Sequence, residues 1–283
     1  MSNTQEILDL ARRDIAARRA AAETARSYRP WLWAFVALSS TVLLGLLLLP
    51  VRGLDYRLQM LVHGVCAQAH YLEIGALRMP LCARNTGIYA GSIGTIFFLL
   101  ASGRGRAAKL PPLAITGLIM AGAFAMVVDG LNSMALDIGN YHLYMPHNEL
   151  RVATGLLMGT AIGSFMLLMF NIALRRAPRH DQRVIGSWLE YCALLLVNCV
   201  VYLLIFFGPP ALYYPLAIFS VAGIVGVLFI SNLFVMSMVG GLEGRVARLA
   251  QLARPASIAV VLTGVELTAL AALRVWAESS LTM

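Results

Sequence analysis

Seven long apolar stretches, separated by charge, proline or glycine, set the frame of this 283-residue chain. They run approximately Trp31 to Leu49, Asn85 to Ala101, Leu113 to Ala135, Val152 to Leu174, Ser187 to Phe207, Ala211 to Val239 and Ala256 to Trp276. A helix needs about 20 mainly apolar residues to cross the roughly 30 Å hydrocarbon layer. Nothing in the pattern repeats the alternating ten-residue strands of a membrane barrel. Backbone in hydrocarbon must satisfy its own polar groups, so the pattern predicts an all-α, polytopic integral membrane bundle of about seven transmembrane helices.

Composition removes the main competing class. The chain is 59% hydrophobic and 13% charged, against about 45–50% and about 25% in soluble domains. A soluble globular enzyme is thereby excluded. The net charge of +8 comes from arginines in alternate connections. Arg12, Arg13, Arg18, Arg19, Arg26 and Arg29 precede the first stretch. Arg104, Arg106 and Lys109, then Arg175, Arg176, Arg179 and Arg183, then Arg245, Arg248 and Arg254 fill every second loop after it. Lys and Arg are retained on the cytoplasmic side, which predicts a cytoplasmic amino terminus and an outside carboxyl terminus in a multi-pass protein of the cell membrane. The basic loops lack interleaved aromatics or a nucleic-acid motif, so membrane lipids rather than nucleic acid are the expected partner. A polar stretch of about thirty residues precedes the first span and no small-residue cleavage site follows it, against a cleaved signal peptide.

Within that amino-terminal stretch, Asn3 and Glu6 have capping-box spacing, and Asp9/Arg13 and Asp14/Arg18 are i,i+4 pairs. Ile7, Leu8, Ala11 and Ile15 form one apolar stripe. Residues Asn3 to Ser27 thus predict a helix that either docks a membrane surface or membrane-protein partner, or lies solvated as a tail. The expected division is 1–30 as this helix, 31–175 as a four-span core and 176–283 as a three-span bundle.

Polar residues cluster on the side away from the basic loops. His63, Cys66, Gln68, His70, Glu73, Arg78, Cys82, Arg84 and Asn85 lie in or just after the first outside loop. Asp129 and Asn132 sit near the outside end of the third span, and Asp137, Asn140, His142, His147, Asn148, Glu149 and Arg151 follow. Two segments in this crown echo each other. One is Arg84-Asn85-Thr86-Gly87 with Gly91; the other is Arg151-Val152-Ala153-Thr154-Gly155 with Gly159 and Gly163. Each opens a span with arginine, Thr-Gly and a Gly-x-x-x-Gly face, which predicts close packing of spans two and four near the bundle centre. Two arginines and two helix amino termini then meet near one exterior point, a setting that attracts carboxylate or phosphate. Arg84, Asn85, Asp129, Asn132, Asn148 and Arg151 are therefore the candidate ligand-binding set, for an anionic small molecule or lipid headgroup. The alternative is that Arg84 and Arg151 are interfacial anchors or partners of Asp129 and Glu149. Asp129 is expensive in a span unless paired, so its expected role is to orient Arg151 or Arg84.

Cys66-Ala67-Gln68, followed by Pro80-Leu81-Cys82-Ala83-Arg84-Asn85-Thr86-Gly87-Ile88-Tyr89-Ala90-Gly91, resembles a prokaryotic family of predicted integral membrane proteins of unknown function. Asp129-Gly130-Leu131-Asn132, Asn148-Glu149-Leu150-Arg151 and Thr154-Gly155 are similar to its later motifs, and the likeness spans about residues 60 to 170. Where that family reads C-H-Q and C-A-R-C, this chain has Ala67 and Asn85. The resemblance therefore implies a weakened metal set, even with His63 and His70 near, and no metal is assigned. Cys66 and Cys82, on the oxidising side, are the candidate disulfide, ranked above free thiols and both above metal.

Three further features stand apart. Cys192 and Cys199 are expected as buried apolar residues sharing one face. Glu266, with Thr263 nearby and Asn198 and Asn232 at membrane depth, is either an intramembrane proton or ion relay or a hydrogen-bonded packing residue. Trp31, Trp33, Tyr213, Tyr214 and Trp276 are expected in interfacial belts. Three function classes follow: a protein binding an anion, lipid or partner at the crown; a lipid-modifying or thiol-redox membrane enzyme; and a small-solute or proton-coupled transporter. No H-E-x-x-H, G-x-S-x-G, Walker or dinucleotide motif is present in a suitable context, and no cofactor is assigned.

Overall fold

The computed structural model describes residues 27–48, 52–66 and 70–281. The helix expected at Asn3 to Ser27, and Gln68, lie outside these apart from Ser27 itself. The helices are α1 (Ser27–Leu48), α2 (Leu54–Leu61), α3 (Ala83–Ala101), α4 (Leu113–Asp137), α5 (Asn148–Leu174), α6 (Trp188–Phe207), α7 (Tyr213–Val239) and α8 (Ala253–Leu281). Four short strands accompany them: β1 (Tyr71–Ile74), β2 (Leu77–Cys82), β3 (Ala107–Lys109) and β4 (Arg179–Arg183). Among the described residues, six helices are long and apolar enough to cross a membrane; they are α1, α4, α5, α6, and α7 and α8 with the turns before them. Large apolar side chains such as Trp33, Phe124, Phe165, Leu189, Phe207 and Leu273 point outward, as a lipid solvent requires.

The second predicted span does form a helix, α3, but it is not among those six. Its face holds Thr86, Gly87, Gly91, Ser92, Gly94 and Thr95, all buried, and it packs against α5, α7 and α6. At 1.5 Å per residue, its 19 residues still extend about 28 Å. Neighbouring helices take the place of lipid along that face, and Phe97 and Leu100 near its end remain exposed.

Helices α3 and α5 run parallel and in register, as their echoed glycines predict. A Cβ on Gly87 would stand 2.5 Å from the Val152 carbonyl oxygen, and one on Gly155 2.5 Å from that of Arg84. One turn on, a Cβ on Gly91 would stand 2.7 Å from the Leu156 oxygen; further along, one on Gly163 would stand 2.7 Å from that of Ser92. These distances leave no room for a side chain, so backbone packs directly on backbone.

The two ends of the bundle differ. At one, which we term the basic end, β3 pairs with β4 in parallel, Ala107 opposite Arg179, and an isolated bridge joins Arg175 to Val246. Asn171 donates to the Ala107 carbonyl, 2.9 Å. The loops at 102–112, 175–187 and 240–252 therefore lie together. At the other, crown end, β1 and β2 form a hairpin pairing Tyr71 with Cys82 and Glu73 with Arg78. Gly75 turns it at φ +66°, with Pro210 so close that a Cβ would stand 2.9 Å from it. Leu72, Ile74, Met79 and Leu81 bury against Leu58, Leu216 and Val221.

Two expectations are corrected by packing. Tyr213 is 1% exposed and donates to the Arg78 carbonyl, 3.0 Å; the turn at Pro209 and Pro210 tucks it beneath the hairpin, so it is no belt residue. Cys192 and Cys199 are exposed on α6, because a thiol is apolar enough to face lipid.

Candidate functional site

The crown cluster is built where α3, α4 and α5 meet. Arg84 lies in the first turn of α3 and is 7% exposed; Asp129, eight residues before the end of α4, is 1% exposed. Arg84 Nη2 donates to Asp129 Oδ2 at 2.7 Å and Nε to the same oxygen at 3.3 Å. Nη2 also donates to the Asp129 carbonyl, 3.1 Å, and to Ser133 Oγ, 2.8 Å. The other carboxylate oxygen, Oδ1, accepts from the Tyr144 hydroxyl at 2.9 Å. Burial and the bond to Asp129 push the Tyr144 phenol above its ordinary range, so it remains a donor at neutral pH. A buried charge needs this degree of pairing.

Asn132 shapes the loop rather than the arginines. Its Oδ1 accepts from the Leu143 and Tyr144 amides, at 2.6 and 3.4 Å, and its Nδ2 donates to the Tyr144 carbonyl, 2.8 Å. That grip delivers Tyr144 to Asp129. Ser133 and Tyr144 were not singled out in the sequence. Ser133 is four residues from Asp129 on the same helical face, a spacing that announces it; Tyr144 sits in a loop without a period.

Arg151 is placed differently. It is 4% exposed; among the described residues its side-chain bond runs from Nη1 to Asn148 Oδ1, 2.9 Å, while its buried Nε has no partner. It lies within electrostatic reach of Arg84 and Asp129, but Glu149 is exposed. Asn148 is itself held through Nδ2 on the Tyr71 carbonyl, 3.2 Å. Arg84 is thus the ion-pair partner of Asp129, while among the described residues no carboxylate bonds Arg151 directly, Asp129 and Asp137 acting on it at longer range. Asn85 is half-buried in the first turn of α3.

These residues fall inside one recognisable segment. Residues 66–165 match the family model described as predicted membrane protein (DUF2085). The match runs from Cys66 through most of α5 and so contains every member of the cluster. No curated protein and no solved structure matches the chain significantly. With six apolar helices long enough to span, the chain is a multi-pass membrane protein.

The other candidate residues lie elsewhere. Cys66 and Cys82 stand with their sulfurs 2.9 Å apart. His63 meets Glu278 at 3.1 Å and His70 meets Asp137 at 3.0 Å, on different sides of the hairpin. Glu266 of α8 accepts from Asn232 Nδ2 at 2.8 Å, and the same amide reaches Thr263 Oγ1 at 3.2 Å. Asn198 belongs to a separate contact, donating to Thr160 Oγ1 at 2.8 Å.

Proposed function

We propose that this membrane protein holds an anionic group, the carboxylate or phosphate of a small solute or lipid headgroup, beside Arg151 at the crown end. One observation carries this reading: two buried guanidiniums share one buried carboxylate. Arg84 is bonded to Asp129 and Ser133, whereas Arg151 feels Asp129 and Asp137 only at longer range and, among the described residues, its buried Nε has no hydrogen-bond partner. A buried guanidinium with no carboxylate in direct contact is only partly repaid for its lost hydration, so an anion at its open Nε gains a prepared site. Asn148 orients Arg151, Asn132 and Tyr144 fix Asp129, and Asn85 lies at the neighbouring helix start. On the charge distribution, the crown faces outside the cell membrane and the basic end faces the cytoplasm.

Native mass spectrometry of the purified protein tests it. Wild-type protein should retain an anionic adduct, and Arg151→Gln should weaken it about ten- to a hundredfold, the loss of one charge-assisted hydrogen bond of about 1.5–3 kcal/mol. Glutamine keeps a donor for Asn148, so the bundle stays folded. Equal adduct occupancy in the folded variant defeats the reading.

A further inference from the structure

A second chemical feature of the crown lies beside the arginine cluster. Cys66 follows the short 3-10 turn after α2, and Cys82 ends β2. Hairpin pairing sets Tyr71 opposite Cys82, and the Ala83 amide donates to the His70 carbonyl at 2.9 Å. The chain therefore returns to its starting point, and the sulfurs meet at 2.9 Å.

Their surroundings are unequal. Cys82 is 1% exposed, whereas half-buried Cys66 lines a cavity of about 250 Å³ with Gln59, His63, Tyr71, Arg78, Arg274 and Glu278. Arg274 donates to the carbonyls of His63 and Cys66, fixing that wall. The Arg78 guanidinium lies 3.4 Å over the Tyr71 ring. Two arginines against one carboxylate favour a visitor bearing negative charge. Cys82 is the N-cap of α3. A visitor in the cavity reaches the Cys66 sulfur and not the enclosed Cys82, so Cys82 is the sulfur that leaves.

We propose that Cys66 and Cys82 form a reversible disulfide that exchanges with small carboxylate-bearing thiols, with Cys66 as the attacked sulfur and Cys82 as the leaving one. A thiolate entering the cavity attacks Cys66 Sγ. A new S–S bond forms, the Cys66–Cys82 bond breaks, and its electron pair leaves on Cys82, which then takes a proton. A second thiolate attacks the visitor's sulfur in the mixed disulfide and releases Cys66 as thiolate. In sum, two small thiols become one small disulfide, and two electrons and two protons pass to the cysteine pair. Reversal uses the small disulfide as oxidant. In the dithiol, contact with Cys66 and burial push the Cys82 thiol well above the usual range, which leaves Cys66 as the nucleophile for reoxidation.

The test uses the full chain in detergent with Cys192→Ala and Cys199→Ala, incubated with reduced and oxidised glutathione, acid-quenched, alkylated and mapped by mass spectrometry. The pair should convert fully between dithiol and disulfide as the glutathione ratio is varied. The mixed disulfide trapped in this parent should map to Cys66. In single variants, oxidised glutathione should label Cys66 of Cys82→Ala at least tenfold faster than Cys82 of Cys66→Ala. A disulfide that resists every ratio, a pair that never oxidises, or a mixed disulfide mapping equally to both cysteines overturns the proposal. The parent's own adduct decides it even if a single variant does not fold.

Discussion

Gly91→Leu should leave no folded bundle to purify. A Cβ at this position would stand 2.7 Å from the Leu156 carbonyl oxygen, 3.0 Å from Leu156 Cα and 3.3 Å from Gly159 Cα. All three are backbone atoms of α5, so no rotamer change makes room. The helices would have to separate along the whole in-register seam, losing their closest contacts. Overpacking usually costs about 1–3 kcal/mol and more where nothing can yield; here we expect about 3 kcal/mol or more. Fluorescence-detected size exclusion should show loss of the monodisperse peak. Gly117→Ala and Gly226→Ala are the controls, because a Cβ at either meets nothing within 4 Å; they should hold or raise the melting temperature, through a helix-propensity gain of up to about 1 kcal/mol. A folded Gly91→Leu protein melting like wild type would show that the seam is looser than its geometry states.

Asp129→Leu should be nearly as damaging, by a different route. Removing one member of a buried ion pair typically costs about 3–5 kcal/mol, since the survivor stays in a dry site without compensation. Here the loss takes the carboxylate from Arg84, deprives Tyr144 of its acceptor and removes the one buried carboxylate from beside two guanidiniums. Arg84→Met should cost less, because Asp129 keeps the Tyr144 hydroxyl and carries the opposite charge to Arg151. The double variant Arg84→Met/Asp129→Leu should be more stable than Asp129→Leu alone. Thermal melts of the four proteins form a double-mutant cycle. Strict additivity would mean that the 2.7 Å contact contributes no coupling.

The contrast between these two features explains what was legible in the sequence. The α3–α5 seam was readable because each helix carries its own copy of a local spacing, Gly87 with Gly91 and Gly155 with Gly159. The partner of Asp129 was not, because choosing between Arg84 and Arg151 depends on how α4 is rotated against two equivalent arginines. Hairpin β1–β2 left a trace, with Leu72 and Ile74 inward, Glu73 outward and Gly75 at the turn, but four residues of alternation are easily lost between long apolar runs. Strands β3 and β4 left less, since a parallel pair joins residues about seventy positions apart. Tyr213 misled because proximity to a span end resembles an interfacial anchor until the preceding turn is placed. In general, periodic features along one helix were accessible, and those fixed by the relative rotation of helices were not.

The composition of α3 also constrains how the protein is made. A helix whose buried face is Thr86, Gly87, Gly91, Ser92, Gly94 and Thr95 gains little from lipid on that side. Its complement, α5, is synthesised only after α4 and the loop that follows. The glycine and hydroxyl face of α3 therefore finds its matching surface only once a later segment has arrived.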